Sequence, residues 1–229
     1  MPSLLLALAT TAAAYTIDQT SDGDPVRWPE FPVSFAWVDG TLDGVDDPES
    51  ELRSSFATWT LDGTPIGFRS EAPTGRPSFD YDTVNYVWIQ HDWPFDPDLL
   101  ALTNGWTDDD GNIVAFDIQI NAERPFATDG RKDAFDFEAT MTHEVGHVLG
   151  LEHTEIVDAT MFPSLPIGTT ARRALHEDDD AGARFLYPTG TDDGAGRTLG
   201  ELVASCSVVG HPGGWTLAAL ALAAVRRRR

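Results

Sequence analysis

The chain has 229 residues, of which 41% are hydrophobic and 10% aromatic, which suits one domain with appendages and excludes wholesale disorder. Its 37 acidic side chains against 15 basic ones give a formal net charge of −22, and so acidic a surface excludes a nucleic-acid partner because it repels phosphate. The single cysteine, Cys206, excludes both an intramolecular disulfide and a cysteine-based metal cluster.

Residues 1–14 predict a signal peptide, so we expect export. An apolar run at residues 4–9 is followed by Ala12, Ala13 and Ala14, which fit the small-residue rule for cleavage before Tyr15. The alternative is an apolar first element of the folded domain. A short segment, residues 15–27, would then precede the domain.

The body of the chain predicts strands and helices in alternation. A helix starts near Pro48 and ends by Gly63, and residues 107–112 form a hairpin-type turn. A long apolar stretch predicts a buried helix that Gly150 closes. Strands are predicted at 32–38, 66–68, 85–90 and 113–120, and the two later helices at 135–149 and 177–186. The order predicts an α/β layered domain with a mixed sheet.

One segment of the buried helix carries the chemistry. His143 and His147 are four residues apart, so on a helix both imidazoles project from one face and can share a metal ion. Glu144 lies one residue further round, where a base could deprotonate a water molecule activated by that metal. Gly150 can adopt the positive φ that turns the chain, which brings His153 back as a third ligand. Three neutral imidazoles leave a fourth tetrahedral position open, as in catalytic zinc sites.

The pattern H-E-x-x-H-x-x-G-x-x-H resembles the metzincin metallopeptidases, and Gly146 and Thr154 are typical of their matrixin branch, the matrix metalloproteases and their bacterial relatives. Residues 159–163 (ATMFP) are similar to the matrixin Met-turn, which implies that Met161 lies under the metal. The resemblance covers residues 28–188. It implies an α+β zincin fold, with a twisted mixed sheet, an active-site helix, a Met-turn and a C-terminal helix, and one catalytic zinc.

Several features depart from the animal matrixins. No cysteine precedes the domain, so we expect no cysteine-switch propeptide, and latency, if any, would work differently. His91 and Asp92 are the nearest candidates for a second zinc, although a surface loop is the favoured interpretation. A calcium site is a further alternative without support, since its candidate ligands also suit a solvated turn; these are Asp108, Asp109, Asp110 and Asn112.

The C-terminal end predicts a sorting signal for the cell surface. Residues 189–205 are rich in Gly, Thr and Asp and suit a linker. Residues 206–229 contain Cys206, a short apolar helix and four terminal arginines, which resembles the sorting tail of myxobacterial surface proteins. That resemblance implies membrane contact through the tail before processing near Cys206, and a location at the cell surface or outer membrane of a Gram-negative bacterium. An amphipathic or core helix is the alternative.

The function that we predict is zinc-dependent cleavage of protein or peptide substrates by a monomer. We expect an extended substrate to lie along residues 113–120 as an added strand, with specificity set by a pocket walled by residues 161–165. Two other classes of function stay open: a surface binding module that keeps the zinc site without turnover, and a zinc hydrolase of a non-protein amide bond.

Overall fold

The computed structural model describes residues 14–38, 40–78 and 81–188, together with the backbone of residues 202–204 and 209–211. The predicted signal peptide, linker and sorting tail lie largely outside the described residues, and Cys206 lies wholly outside them.

The elements follow one another along the chain as three helices among short strands. The helices are α1 (Pro48–Thr58), α2 (Phe137–Val148) and α3 (Glu177–Leu186). The strands are β1 (Thr16–Ile17), β2 (Val33–Trp37), β3 (Phe68–Glu71), β4 (Tyr86–Gln90), β5 (Ala101–Thr107), β6 (Ile113–Asn121), β7 (Phe126–Ala127), β8 (Phe135–Asp136), β9 (Leu151–Glu152), β10 (Ser164–Pro166), β11 (Leu202–Ala204) and β12 (Val209–His211).

A six-stranded mixed sheet forms the centre of the domain, in the strand order β11-β5-β6-β4-β2-β3. The pairs β3-β2, β2-β4 and β4-β6 are parallel, whereas β5 runs antiparallel to β6 through the predicted hairpin. Helix α1 and helix α2 pack together against one face of the sheet. This is the mixed α/β arrangement that the resemblance to the metzincins implies.

The helix that carries the histidines is buried at every residue except Glu138. Asp136 caps its N-terminus by accepting a hydrogen bond from the Ala139 amide at 2.9 Å, which starts the helix at Phe137 rather than at the predicted 135. Trp59, which follows α1, is fully buried and donates from its indole to the Thr142 carbonyl at 2.8 Å. The two helices therefore hold each other in register beside the metal ligands.

The predicted location of the substrate strand is wrong for this fold. Residues 113–120 lie in β6, which is hydrogen-bonded to β4 on one side and to β5 on the other, so it offers no open edge. On that side β5 is the last strand that residues 14–188 contribute, and β11 pairs with its outer side. Long apolar strands predict burial but not which of two hairpin strands lies outermost.

Residues 15–27 pack onto the domain near the end of α2. Strand β1 pairs antiparallel with β9, and the Asp18 amide donates to the Gly150 carbonyl at 2.9 Å. The Ile113 amide donates to the Arg27 carbonyl at 2.8 Å. Over the described part of the chain, every helix is too short or too polar to cross a bilayer.

Candidate metal centre

Three histidines from α2 and the turn after it converge on one point. Among the residues that the structure describes, His143, His147 and His153 are the only group of three or more candidate ligands close enough to share an ion. The Nε2 atom of His143 lies 3.0 Å from Nε2 of His147 and 3.1 Å from Nε2 of His153. The helix therefore brings together the three residues that its spacing predicts.

The backbone determines which nitrogen of two of these rings carries the proton. Nδ1 of His143 lies 2.7 Å from the Thr160 carbonyl oxygen, and Nδ1 of His147 lies 2.7 Å from that of Leu151. Because a carbonyl oxygen only accepts, both Nδ1 atoms must donate, which leaves a lone pair on each Nε2 of the neutral rings. Lone pairs about 3 Å apart repel one another unless a cation lies between them, and zinc ligated at ~2.0–2.1 Å demands a similar separation.

Burial keeps the imidazoles neutral, the state in which they bind metal. Burial, followed by the charge of His153, lowers the pKa of His147 to about 3, and burial lowers the pKa of His153 to about 4. The pKa of His143 is also well below its usual value, through burial and then the neighbouring imidazoles. The donor set and its protonation therefore fit a zinc ion.

Two glycines shape the ligand helix and its exit. Gly150 has φ +86°, and a Cβ there would lie 2.4 Å from the Val26 carbonyl oxygen, so no other residue fits the turn that returns His153. Gly146 lies between the two helical histidines, and a Cβ there would lie 2.2 Å from Sδ of Met161. The thioether of Met161 thus lies directly against the ligand helix.

An aspartate on α3 holds the Met-turn in place. The carboxylate of Asp179 accepts hydrogen bonds from the amides of Thr160, Met161 and His176, at 2.8, 3.0 and 2.8 Å. The carbonyl of Thr160, whose amide Asp179 binds, accepts from His143. The sequence predicts a helix at residues 177–186 but not this contact, because it depends on the tertiary approach of α3.

The glutamate between the ligands has a partner on strand β5. Glu144 is fully buried, and its Oε2 accepts a hydrogen bond from the Thr103 hydroxyl at 2.6 Å. Thr103 was missed in the sequence, because β5 also contains Asn104 and Thr107 and nothing local marks Thr103 as the buried polar residue. Strand β5 therefore touches the candidate base directly.

The other candidate ligands stay apart from this centre. His91 and Asp92 are exposed in the loop after β4 and belong to no group of ligands among the described residues. Asp108 organises its own turn, since its Oδ1 accepts from the amides of Asp110 and Asn112 at 2.9 and 2.8 Å. Cys206 lies outside the described residues.

Comparison with known proteins gives matches over the same region. The family model described as Matrixin matches residues 30–188. Metalloendoproteinase 1 of Glycine max is 27% identical over 191 residues, covering 78% of this chain and 58% of its own length. Metalloendoproteinase 1-MMP of Arabidopsis thaliana is 33% identical over 62% of this chain and 38% of its own length. Matrix metalloproteinase-16 of Homo sapiens is 25% identical over 70% of this chain and 27% of its own length. The chain thus spans less than two thirds of each of these relatives.

Proposed function

Because this chain belongs to the matrixin family, we propose that it is a zinc-dependent endopeptidase that hydrolyses peptide bonds in proteins. The observation that carries the proposal is that the imidazoles of His143, His147 and His153 converge beside the buried carboxylate of Glu144, which lies on the same helix as the first two. The printed names of the relatives, metalloendoproteinases of plants and a matrix metalloproteinase, agree with this chemistry.

The three histidines would hold one zinc ion. When bound, zinc polarises a water molecule and lowers its pKa toward ~7. The Glu144 carboxylate accepts the proton as the water attacks the scissile carbonyl, and then delivers it to the nitrogen of the leaving amine. The Thr103 hydroxyl fixes the orientation of that carboxylate by donating a hydrogen bond to its Oε2.

The substrate binds as an extended strand along β5. This strand is the outermost one that residues 14–188 contribute to the sheet, and it reaches Glu144 through Thr103. A peptide that took the place of β11 on its outer side would therefore pass beside the metal ligands. Backbone pairing of this kind is independent of sequence, so side-chain preference would come from pockets, with residues 161–165 as the predicted wall.

Export to the cell surface is a further part of the proposal. It rests on the signal-like residues 1–14 and on the C-terminal resemblance to a sorting tail. Fractionation of the native host, with mass spectrometry of the mature ends, tests it; an intact chain in the cytoplasm would contradict it.

The test of the activity is digestion of unfolded casein by the full chain, with and without a chelator. We expect cleavage at internal bonds, loss of cleavage when zinc is removed, and recovery when one equivalent is restored. Zinc binding without cleavage of casein, both in the full chain and in a variant whose β11 pairing is broken, would contradict the proposal. If the zinc-loaded protein leaves casein intact but hydrolyses a cell-wall amide crosslink, a non-peptide hydrolase is favoured. If it hydrolyses neither substrate, a binding module is favoured.

A further inference from the structure

The outer side of β5 is occupied by a later segment of the same chain. Strand β11 pairs antiparallel with β5, with Leu202 opposite Trp106, Val203 opposite Gly105 and Ala204 opposite Asn104. The pairing ends one residue before Thr103, whose hydroxyl binds Glu144. An extended segment therefore approaches the candidate base along the edge on which a substrate would lie.

The chain also pairs on the other side of the centre. Strand β12 runs parallel to β10, with Val209 opposite Ser164 and Gly210 opposite Leu165. Strand β10 begins three residues after Met161, which lies against the ligand helix at Gly146. Strands β11 and β12 are separated by residues 205–208 only, which lie outside the described residues. One short segment is thus bonded to both elements that flank the three histidines.

We infer that strands β11 and β12 are internal occupants of the peptide-binding cleft, which they cover against other peptides by pairing as a substrate would. The inference rests on the proposed function, because it takes β5 as the strand that binds substrate. It names the chain's own C-terminal segment as the binding partner of that edge.

Chain length and tethering both favour this occupant. The stretch between α3 and β11 has residues 187–201, enough to span about 50 Å when extended, so β11 can reach β5 from the end of α3. A tethered segment has an effective concentration on the order of millimolar, which outcompetes a free peptide present at micromolar concentration. An edge strand left open would also expose unpaired amides to other chains, and β11 covers them.

The experiment uses the zinc-loaded full chain and a Val203→Pro/Ala204→Pro variant. Successive amides of a strand point to opposite sides, so replacing both residues removes an amide that faces β5. The matched control is Gly194→Pro/Ala195→Pro, which puts two prolines in the same tail outside both strands. Hydrogen exchange of the β5 amides that do not bond to β6 is measured together with kcat/KM for unfolded casein.

We expect those β5 amides to exchange at least about tenfold faster in the variant, with β6 amides unchanged and the control like the parent chain. Casein cleavage should rise about tenfold in kcat/KM. Equal exchange of the β5 amides in the parent and the variant would overturn the inference. Faster β5 exchange in a variant that cleaves casein no faster than an active parent chain would also overturn it. Faster exchange with no cleavage by any form would contradict the proposed function and leave the pairing in place.

Discussion

At the metal centre, single hydrogen bonds determine what each side chain can do. Carbonyl oxygens of Thr160 and Leu151 orient two imidazoles so that each presents Nε2, and the Thr103 hydroxyl orients the Glu144 carboxylate. The sequence could predict the ligands and the base, because their spacing on a helix is periodic. It could not predict the carbonyls or Thr103, because these come from segments that only the fold brings near.

Replacing Thr103 tests the positioning of the base. Thr103→Val keeps the shape but removes the donor to a charged acceptor, and we expect kcat to fall about tenfold with KM and zinc content unchanged. Thr103→Ser keeps the hydroxyl and should retain most of the activity. Steady-state kinetics with zinc analysis check both variants. Full activity in the Val variant together with a loss in the Ser variant would mean that the methyl packing matters and not the hydrogen bond.

At the scale of elements, the turn after α2 and the anchoring of the Met-turn complete the site. Gly150 returns the chain so that His153 faces the helical histidines, and Asp179 of α3 ties down Thr160 and Met161. The glycine turn and the final helix could be predicted, and α3 has the predicted bounds, Glu177–Leu186. The hydrogen bonds between Asp179 of α3 and the Met-turn could not be predicted, because nothing in the local sequence of either segment requires them.

Gly150→Ala should both destabilise the protein and weaken zinc binding. The alanine would have to adopt φ +86° and would place its Cβ 2.4 Å from the Val26 carbonyl oxygen, so the turn must move and carry His153 with it. Gly23→Ala is the matched control, because Gly23 has φ +89° but no atom within 4 Å of the added Cβ. We expect a loss of about 1 kcal/mol in the control and about 3 kcal/mol or more in Gly150→Ala.

Thermal unfolding with and without chelator measures this difference. In the control, the gain in Tm on zinc addition should match that of the parent chain, whereas in Gly150→Ala it should shrink. Identical Tm shifts on zinc addition in the two variants would show that the turn does not place His153.

Across the whole molecule, the sheet places the active-site helix on one face and buries a carboxyl in β6. Asp117 is 4% exposed, and its Oδ1 accepts a hydrogen bond from the Tyr86 amide of β4 at 2.8 Å. Burial, opposed by this hydrogen bond and reinforced by the charge of Asp82, raises the pKa of Asp117 to about 7. The strand types could be predicted from their residues, but the place of β6 inside the sheet could not, because that depends on pairing partners distant in the chain.

Asp117→Asn should change how stability depends on pH. The folded pKa of about 7 exceeds the unfolded value of ~3.9, so the carboxyl favours the folded state when protonated. That contribution is fully present below about pH 4 and is lost as the pH rises to about 7. The asparagine keeps an acceptor for the Tyr86 amide without titrating.

Urea unfolding at pH 4.5 and pH 7.5 measures this effect. Relative to the parent chain, we expect the variant to lose about 3 kcal/mol less stability between the two pH values. Asp22→Asn, at an exposed turn, is the control and should follow the parent chain. A variant whose pH dependence also follows that of the parent would contradict the raised pKa.

The most direct measurement determines zinc content and casein turnover together in three full-length proteins. Each carries Val203→Pro/Ala204→Pro, so that the tail cannot mask the cleft: one with no other change, one with Glu144→Gln and one with His153→Asn. We predict one zinc and cleavage in the first, one zinc and at least ~10²-fold slower cleavage in the second, and loss of both in the third. Full activity in Glu144→Gln, or a zinc-loaded first protein that cuts nothing, would contradict the assignment of Glu144 as the base of a peptidase.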